Sequence, residues 1–235
     1  MPPLLSADDF RLDTAICETR YSEAYLVFDR TGSVIQELRS LFTDLEIINP
    51  TPVQTTFRSK EGTFTMELAQ SRFNGHKPDS SLEKFGHHCK HFFDVISAQL
   101  DIKVFTRIGL RVLLRHTFKD VQESRAALNA LKLLNLDMKK RFGAAEEIDE
   151  ILIRWEGEQT GAFLRFKAEK GKIDVVLPPE LDLDDPEIHK ETNSLLVDVD
   201  YYTVAPVEKA QWDPATWMPQ SVRIIRKEID AVMSR

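Results

Sequence analysis

The chain holds only two cysteines, Cys17 and Cys89, which are too few and too far apart in sequence for a disulfide framework. That scarcity points to a reducing compartment, the cytoplasm. Its nine glycines are scattered, so neither a dinucleotide-type nor a Walker-type phosphate loop is present, and there is no Gly-x-Ser-x-Gly elbow or kinase motif set. No uncharged apolar run approaches the roughly 18 residues that span a bilayer. The strongest, around Ile108 to Leu114 and Ser194 to Val199, are of strand length. Met1 to Ser6 has no Lys or Arg and leads into Asp8 and Asp9, so no signal peptide is expected. The one Asn-Pro-Thr, at Asn49, is barred from glycosylation by its proline. A basic excess is missing as well: 31 Lys and Arg against 38 Asp and Glu leave −7, which argues against phosphate backbones and anionic membranes as partners.

What is present is enough apolar material for a core: 42% of the 235 residues are hydrophobic, including 14 Phe, 3 Trp and 4 Tyr. This length allows one large domain or two small lobes. The run Glu23 to Asp29 reads as a strand, followed by a helix starting near Ser33 with Val34, Ile35, Leu38, Leu41, Phe42 and Leu45 at helical spacing. Val53/Thr55/Phe57 and Phe64/Met66/Leu68 alternate on either side of Ser59 to Gly62, a hairpin with one buried face. A loop with Asn74-Gly75 leads to Ser80 or Ser81 as cap of a helix carrying Leu82, Phe85, Cys89, Phe92, Phe93 and Ile96. Ile102 to Phe118 reads as one long strand.

The second half repeats the idea. Val121, Leu128, Leu131, Leu134 and Met138 mark a helix ending before Gly143. Three alternating runs, Ile151/Ile153/Trp155, Ala162/Leu164/Phe166 and Ile173/Val175/Leu177, are separated by turn signals at Glu158 to Gly161 and at Glu169 to Gly171. An acidic, proline-bounded loop from Pro178 to Thr192 precedes a strand from Ser194 to Val204, and an amphipathic helix with Val222, Ile225, Ile229 and Val232 closes the chain. Strands linked as hairpins between single helices predict an α+β protein: antiparallel sheets with helices on one face. Two similar sheet-and-helix halves, 1–118 and 119–235, are expected to pack as one compact body without a flexible linker.

Period two yields one specific expectation. Arg107, Arg111 and Arg115 share one face of their strand, and Asp198 and Asp200 share one face of theirs. If the strands are neighbours, Arg107 or Arg111 pairs with Asp198 or Asp200 and fixes register. At these residues the chain resembles a sporadically distributed bacterial family of uncharacterised proteins of similar length. The resemblance rests on Thr106-Arg107-Ile108-Gly109-Leu110-Arg111, on Val197-Asp198-Val199-Asp200-Tyr201, and on the closing helix after a loop with Trp212 and Trp217. It implies a bacterial setting and supplies no reaction, cofactor or catalytic residue.

Several constellations could carry chemistry. On a helix, His87 and His91 lie one turn apart, a spacing zinc sites use, with His76, Asp94 or His116 as a third ligand. Cys89 falls on the apolar side as a small hydrophobe. Asp198 and Asp200, two apart on a strand, are spaced like carboxylates that clamp divalent ions in nucleases and polymerases. The acidic loop Glu180 to Glu187 lacks the glycine and terminal glutamate of a calcium loop. The arginine face could instead grip phosphate or carboxylate, with Arg125 and Lys132 nearby. Arg223, Arg226 and Lys227 read as a solvated face of the last helix, and Trp212 and Trp217 as staples holding it.

The sequence therefore predicts a non-catalytic cytoplasmic binding protein, an accessory or immunity-type component contacting another protein. Its acidity, concentrated at Glu146 to Glu150 and Glu180 to Glu191, would face that partner. The alternative is a metal-dependent hydrolase or nuclease using His87/His91 or Asp198/Asp200. No cofactor is expected under the first reading; zinc or another divalent metal belongs to the second.

Overall fold

The computed structural model describes residues 5–51, 53–75, 82–131, 133, 148–176 and 187–233. Nine of its strands form a single sheet, and every hydrogen-bonded pair in it is antiparallel. In chain order the elements are β1 (Arg11–Arg20), α1 (Val27–Leu41), β2 (Glu46–Pro50), β3 (Gln54–Arg58), β4 (Gly62–Glu67), β5 (Gln70–Gly75), α2 (Leu82–Gln99), β6 (Val104–Phe105) and β7 (Arg107–Phe118). They continue with α3 (Val121–Ala130), β8 (Glu150–Glu156), β9 (Thr160–Val176), β10 (Glu187–Thr203), β11 (Val207–Glu208) and α4 (Pro214–Met233). The sheet order is β2-β3-β4-β5-β1-β7-β10-β9-β8, and β6 and β11 form a separate short ribbon. The β7–β10 pairing joins strands on either side of residue 118, so one sheet runs through both halves of the chain.

The fold is α+β, with the helices on one face of the sheet. One parity of each central strand enters the core: Leu12, Ala15 and Cys17 from β1, Ile108, Leu110, Val112 and Leu114 from β7, and Leu195, Val197 and Val199 from β10. They meet Val34 and Leu38 of α1, Phe92 and Ile96 of α2, Ala127 and Leu128 of α3, and Val222, Ile225 and Ile229 of α4. The phenylalanines concentrate at one point. Phe64 and Phe73, opposite each other on β4 and β5, stack 4.4 Å apart, and Phe42, Phe85 and Phe92 close around them. Each fully buried ring contributes about 1.5–3 kcal/mol. Trp212 is buried between Phe93 and Phe105, and Trp217 lies over Tyr201, which staples the start of α4 to the sheet.

Several expected boundaries move. The run Glu23 to Asp29 is not a strand: α1 begins at Val27 and passes through Gly32 and Ser33, while Tyr25 and Phe28 stay exposed. The apolar run is β-rich in composition, but the buried residues of α1 are Val27, Val34 and Leu38, spaced for a helix. The real opening strand is β1, whose inward residues after Leu12 are small and whose period is broken by a bulge between Leu12 and Thr14. Gln70 to Gly75, expected to end in a loop, pairs as β5, and Glu46 to Pro50 forms β2. Ile102 to Phe118 divides at Thr106, whose N–H donates to the Arg20 carbonyl while β6 turns away to β11.

The expected turn at Glu169 to Gly171 is absent because β9 continues to Val176 and Gly171 pairs with Thr192. A Cβ at Gly171 would meet the Thr192 hydroxyl at 2.6 Å, so this glycine serves close cross-strand approach. The meander is thus β8-β9-β10, with Glu187 to Thr192 belonging to β10 and not to a loop. α3 is capped by Asp120, whose carboxylate accepts from the Glu123 N–H at 2.9 Å. Ser80, Ser81, Leu134, Met138, Gly143 and the segment 177–186 lie outside the described residues.

Candidate functional site

With the helices on one side, no element among the described residues covers the opposite face of the sheet, which carries the other parity of every strand. Along β7 this parity is Arg107, Gly109, Arg111, Leu113 and Arg115; along β10 it is Ser194, Leu196, Asp198, Asp200 and Tyr202. The two strands are direct neighbours, and their charges interlock. Arg111 forks onto Asp198, Nε donating to Oδ1 at 2.8 Å and Nη2 to Oδ2 at 2.7 Å. Arg107 Nη2 donates to Asp200 Oδ2 at 2.7 Å. Both pairs run diagonally, since the residue facing Arg111 in register is Asp200 and the one facing Gly109 is Tyr202.

Gly109 explains the diagonal. A Cβ there would lie 3.1 Å from Arg107 Nη1 and 3.4 Å from Asp200 Oδ1, so the missing side chain is the seat of the Arg107 guanidinium. That guanidinium also rests on the Tyr202 ring, 4.5 Å from its centroid. The Arg-x-Gly-x-Arg sequence is therefore one unit: a cation, the space it folds into, and a second cation beyond.

The network extends to both sides. On β1, Glu18 Oε1 accepts from Arg107 Nη1 at 3.2 Å and from Arg20 Nε at 2.9 Å. Arg115 donates to Asp13 of β1 at 2.9 Å, to Ser194 of β10 at 2.8 Å and to Glu169 of β9. Asp13 and Glu18 have opposite parity, and only the bulge at Leu12/Thr14 lets both reach the open face. Four adjacent strands, β1, β7, β10 and β9, are stitched by the three arginines. Glu18, Asp13 and Glu169 were not legible as parts of this network because β1 and the full length of β9 were not, and Tyr202, although on the legible β10, joins it only through the Arg107 guanidinium folded over Gly109. The alternation of charge along Glu18 and Arg20 was the available signal.

Electrostatics follow geometry. Burial pushes the Asp13 carboxyl up, but hydrogen bonds from Arg115 and Arg11 outweigh it and hold the group below the ordinary range. The bond to Asp198 raises Arg111 further above its already high value. Burial raises Asp200, and Arg107 offsets that only in part. Two clefts flank the ladder. One of about 200 Å³ lies over β1, β5 and β7, with Arg20 and Arg72 on its walls; one of about 300 Å³ lies on the other side, lined by Leu152, Phe163 and Arg165. Arg111 and Asp200 border both.

The histidines are elsewhere. His87 and His91 are exposed on α2, one turn apart. Of the third ligands considered, His76 lies outside the described residues; Asp94 is held by Lys90 at 2.8 Å and Lys209 at 2.5 Å; His116 takes the Asp9 carbonyl at 2.8 Å with its ring against Phe10 and Phe118. Among the described residues no group of three His, Cys, Asp or Glu side chains is placed to hold a metal ion. Cys89 and Cys17 are both buried free thiols, and burial together with the neighbouring Cys17 raises Cys89 well above the ordinary thiol range.

Arg125 is engaged by Asp149 at 2.6 Å, and Lys132 lies outside the described residues. Arg226 is not merely solvated: its Nη1 donates to the Ala7 carbonyl at 2.6 Å, tying the N-terminal turn to α4, while Arg223 and Lys227 are exposed. The acidic run Glu180 to Pro186 lies outside the described residues. No helix among the described residues is long and apolar enough to cross a membrane. Comparison with protein-family models and with curated proteins finds no match for this chain.

Proposed function

We propose that the protein is a non-catalytic binding protein of the bacterial cytoplasm, an accessory or immunity-type component that contacts another protein through the open face of its sheet. The observation that carries this reading is the prior engagement of the face's carboxylates. Asp198 has both oxygens on Arg111, Asp200 is held by Arg107, and Asp13 and Glu169 are held by Arg115. A carboxylate clamped by a guanidinium is a poor general base, and a divalent ion would have to displace the cation first. What the face offers is a rigid, prearranged pattern of charges with apolar spots between them, which suits recognition. Arg20, Arg72 and Arg111 retain much of their exposure and are the donors available to a partner's carboxylates. The two buried free thiols fit a reducing compartment.

Site-specific photo-cross-linking in cells tests this. A photoreactive residue replacing Ile16 or Arg72 should capture one discrete protein, while one replacing Arg223 on the outer side of α4 should not. With the captured protein purified, the Arg20→Glu/Arg72→Glu variant should bind it roughly tenfold or more weakly. Equal capture from both faces, or stoichiometric divalent metal with a hydrolytic activity lost in Asp198→Asn, would overturn the reading.

A further inference from the structure

The sheet ends in two unlike edges. β2 is blunted: it has five residues, an irregular register between Ile47 and Asn49, and a terminal Pro50. Bulges and prolines on an edge strand are devices against pairing with another chain. β8 has none of them. It pairs with β9 along all seven residues without a break, contains no Pro, Gly or Lys, and exposes Leu152 (56%) on the open face and Trp155 (47%) on the helix face. Among the described residues it pairs with no other strand.

The ladder phase shows what this edge presents. The Gly157 N–H donates to Thr160 and the Asp149 carbonyl accepts from Ala168. Residues 151, 153 and 155 therefore turn their N–H and C=O toward β9, and residues 150, 152 and 154 turn theirs outward. An antiparallel copy of the same strand can dock only in registers that set these outward residues opposite one another. Centring on Glu150 or Arg154 puts each opposite itself, centring on Ile153 sets Glu150 against Glu156, centring on Ile151 sets Leu152 against Glu150, and centring on Trp155 sets Arg154 against Glu156 but overlaps only residues 154–156 of each strand. Centring on Leu152 sets Leu152 against Leu152 and Glu150 against Arg154 twice, with Ile151 facing Ile153 on the other side.

We propose that a second copy of this chain pairs antiparallel along β8, about a two-fold axis through Leu152. The charge pattern Glu150-x-Leu152-x-Arg154 is self-complementary only in that register, and each hydrogen-bonded pair exchanges two backbone bonds. Arg154 is 58% exposed, and its contacts among the described residues, Glu156 of its own strand, the Phe163 ring and the Tyr202 hydroxyl, lie at the surface and leave it able to turn to a partner. The dimer makes one continuous sheet with the two arginine ladders on a common surface.

Sedimentation equilibrium across micromolar concentrations should show a dimer. Arg154→Glu and Glu150→Arg each place like charges at both symmetry-related contacts and should weaken dimerisation roughly tenfold, and the double reversal should restore it. Under mild oxidation Leu152→Cys should form a covalent dimer, since Cα atoms of such a pair lie about 5.5 Å apart, within disulfide reach. Arg154→Cys, four residues out of register with its own copy, should not. A wild type that stays monomeric, a dimer indifferent to the single reversals, or equal cross-linking from positions 152 and 154 would overturn the proposal; the reversals are at exposed positions, so folding is checked by circular dichroism alone.

Discussion

Removing Arg111 is the sharpest probe of the ladder, because its partner is far more buried than it is. The Asp198 side chain is 8% exposed and the Arg111 side chain 48%. Arg111→Met keeps most of the aliphatic stem but leaves a buried carboxylate without the fork that holds both its oxygens. Stranding one partner of a fully buried pair costs about 3–5 kcal/mol. Here the guanidinium is half in water, and Arg165 stands opposite Asp198 on β9, so relief by solvent and by that neighbour brings the expectation to about 1.5–3 kcal/mol. For a chain of this size that is a fall in Tm of roughly 3–12 °C. Asp198→Leu alone should cost less, since the exposed cation left behind can rehydrate. In the Arg111→Met/Asp198→Leu double variant no charge is stranded and Leu113 and Leu196 flank the new apolar pair, so most of the loss should return. Chemical denaturation of all four proteins gives the coupling energy, expected at about 1–2 kcal/mol. Additivity within about 0.5 kcal/mol would refute the argument that the fork, and not the bulk of either side chain, holds β7 to β10.

Other perturbations reach different parts of the structure. Gly161→Ala would put a Cβ 2.6 Å from the Tyr202 ring, which is itself buried under Arg107, so a loss of about 1–3 kcal/mol is expected in equilibrium unfolding; a neutral result would mean the ring shifts freely. Phe64→Ala removes the ring that touches Phe42, Phe73 and Phe92 at zero exposure and should cost about 3–5 kcal/mol by the same measurement. Burial beside Phe42 and Phe73 holds the His88 imidazole below its ordinary value of 6.5, so the unfolded chain takes up a proton first as the medium is acidified. Stability from this group is present above pH 6.5 and is lost as pH falls from there through the lower folded-state value; His88→Phe should flatten the pH dependence of the denaturation midpoint below pH 6.5, and an unchanged slope would contradict the assignment. Cys17 and Cys89, both at zero exposure, should resist a thiol reagent in native buffer and react only once denaturant unfolds the chain.

Legibility in the sequence followed packing. The β7 and β10 alternations are long, regular and strongly contrasted, with large aliphatic residues inward and charges outward, so both the strands and the facing of their arginines and aspartates could be read without coordinates. β1 has the same role in the sheet but buries Ala15, Cys17 and Thr19, which carry almost no periodic signal, and its bulge shifts the phase at Asp13. Glu18 and Asp13 disappeared from the expected network for that reason. At α1 the opposite happened: a compact apolar run looked like a strand because composition does not say which residues will be buried, and Tyr25 and Phe28 are not. Gly171 misled in a third way, as glycine marks close approach as readily as it marks a turn.

The three arginines of β7 do not do the same work. Arg107 is 18% exposed, folded onto Gly109, stacked on Tyr202 and bonded to both Glu18 and Asp200, so its surroundings leave little room for a ligand. Arg115 is likewise drawn between Asp13, Ser194 and Glu169. Arg111 differs because a guanidinium has five N–H donors and the fork to Asp198 uses two, while the group borders both clefts. The outer arginines can therefore be regarded as clamps that fix the pitch of the ladder, and the middle one as the cation that the ladder holds out. A partner carboxylate meeting Arg111 would extend the existing fork without breaking it, whereas a metal ion seeking Asp198 would have to expel the same guanidinium. On the proposed reading, structural pairing and recognition would be consecutive uses of one side chain, and the open face would be both rigid and receptive.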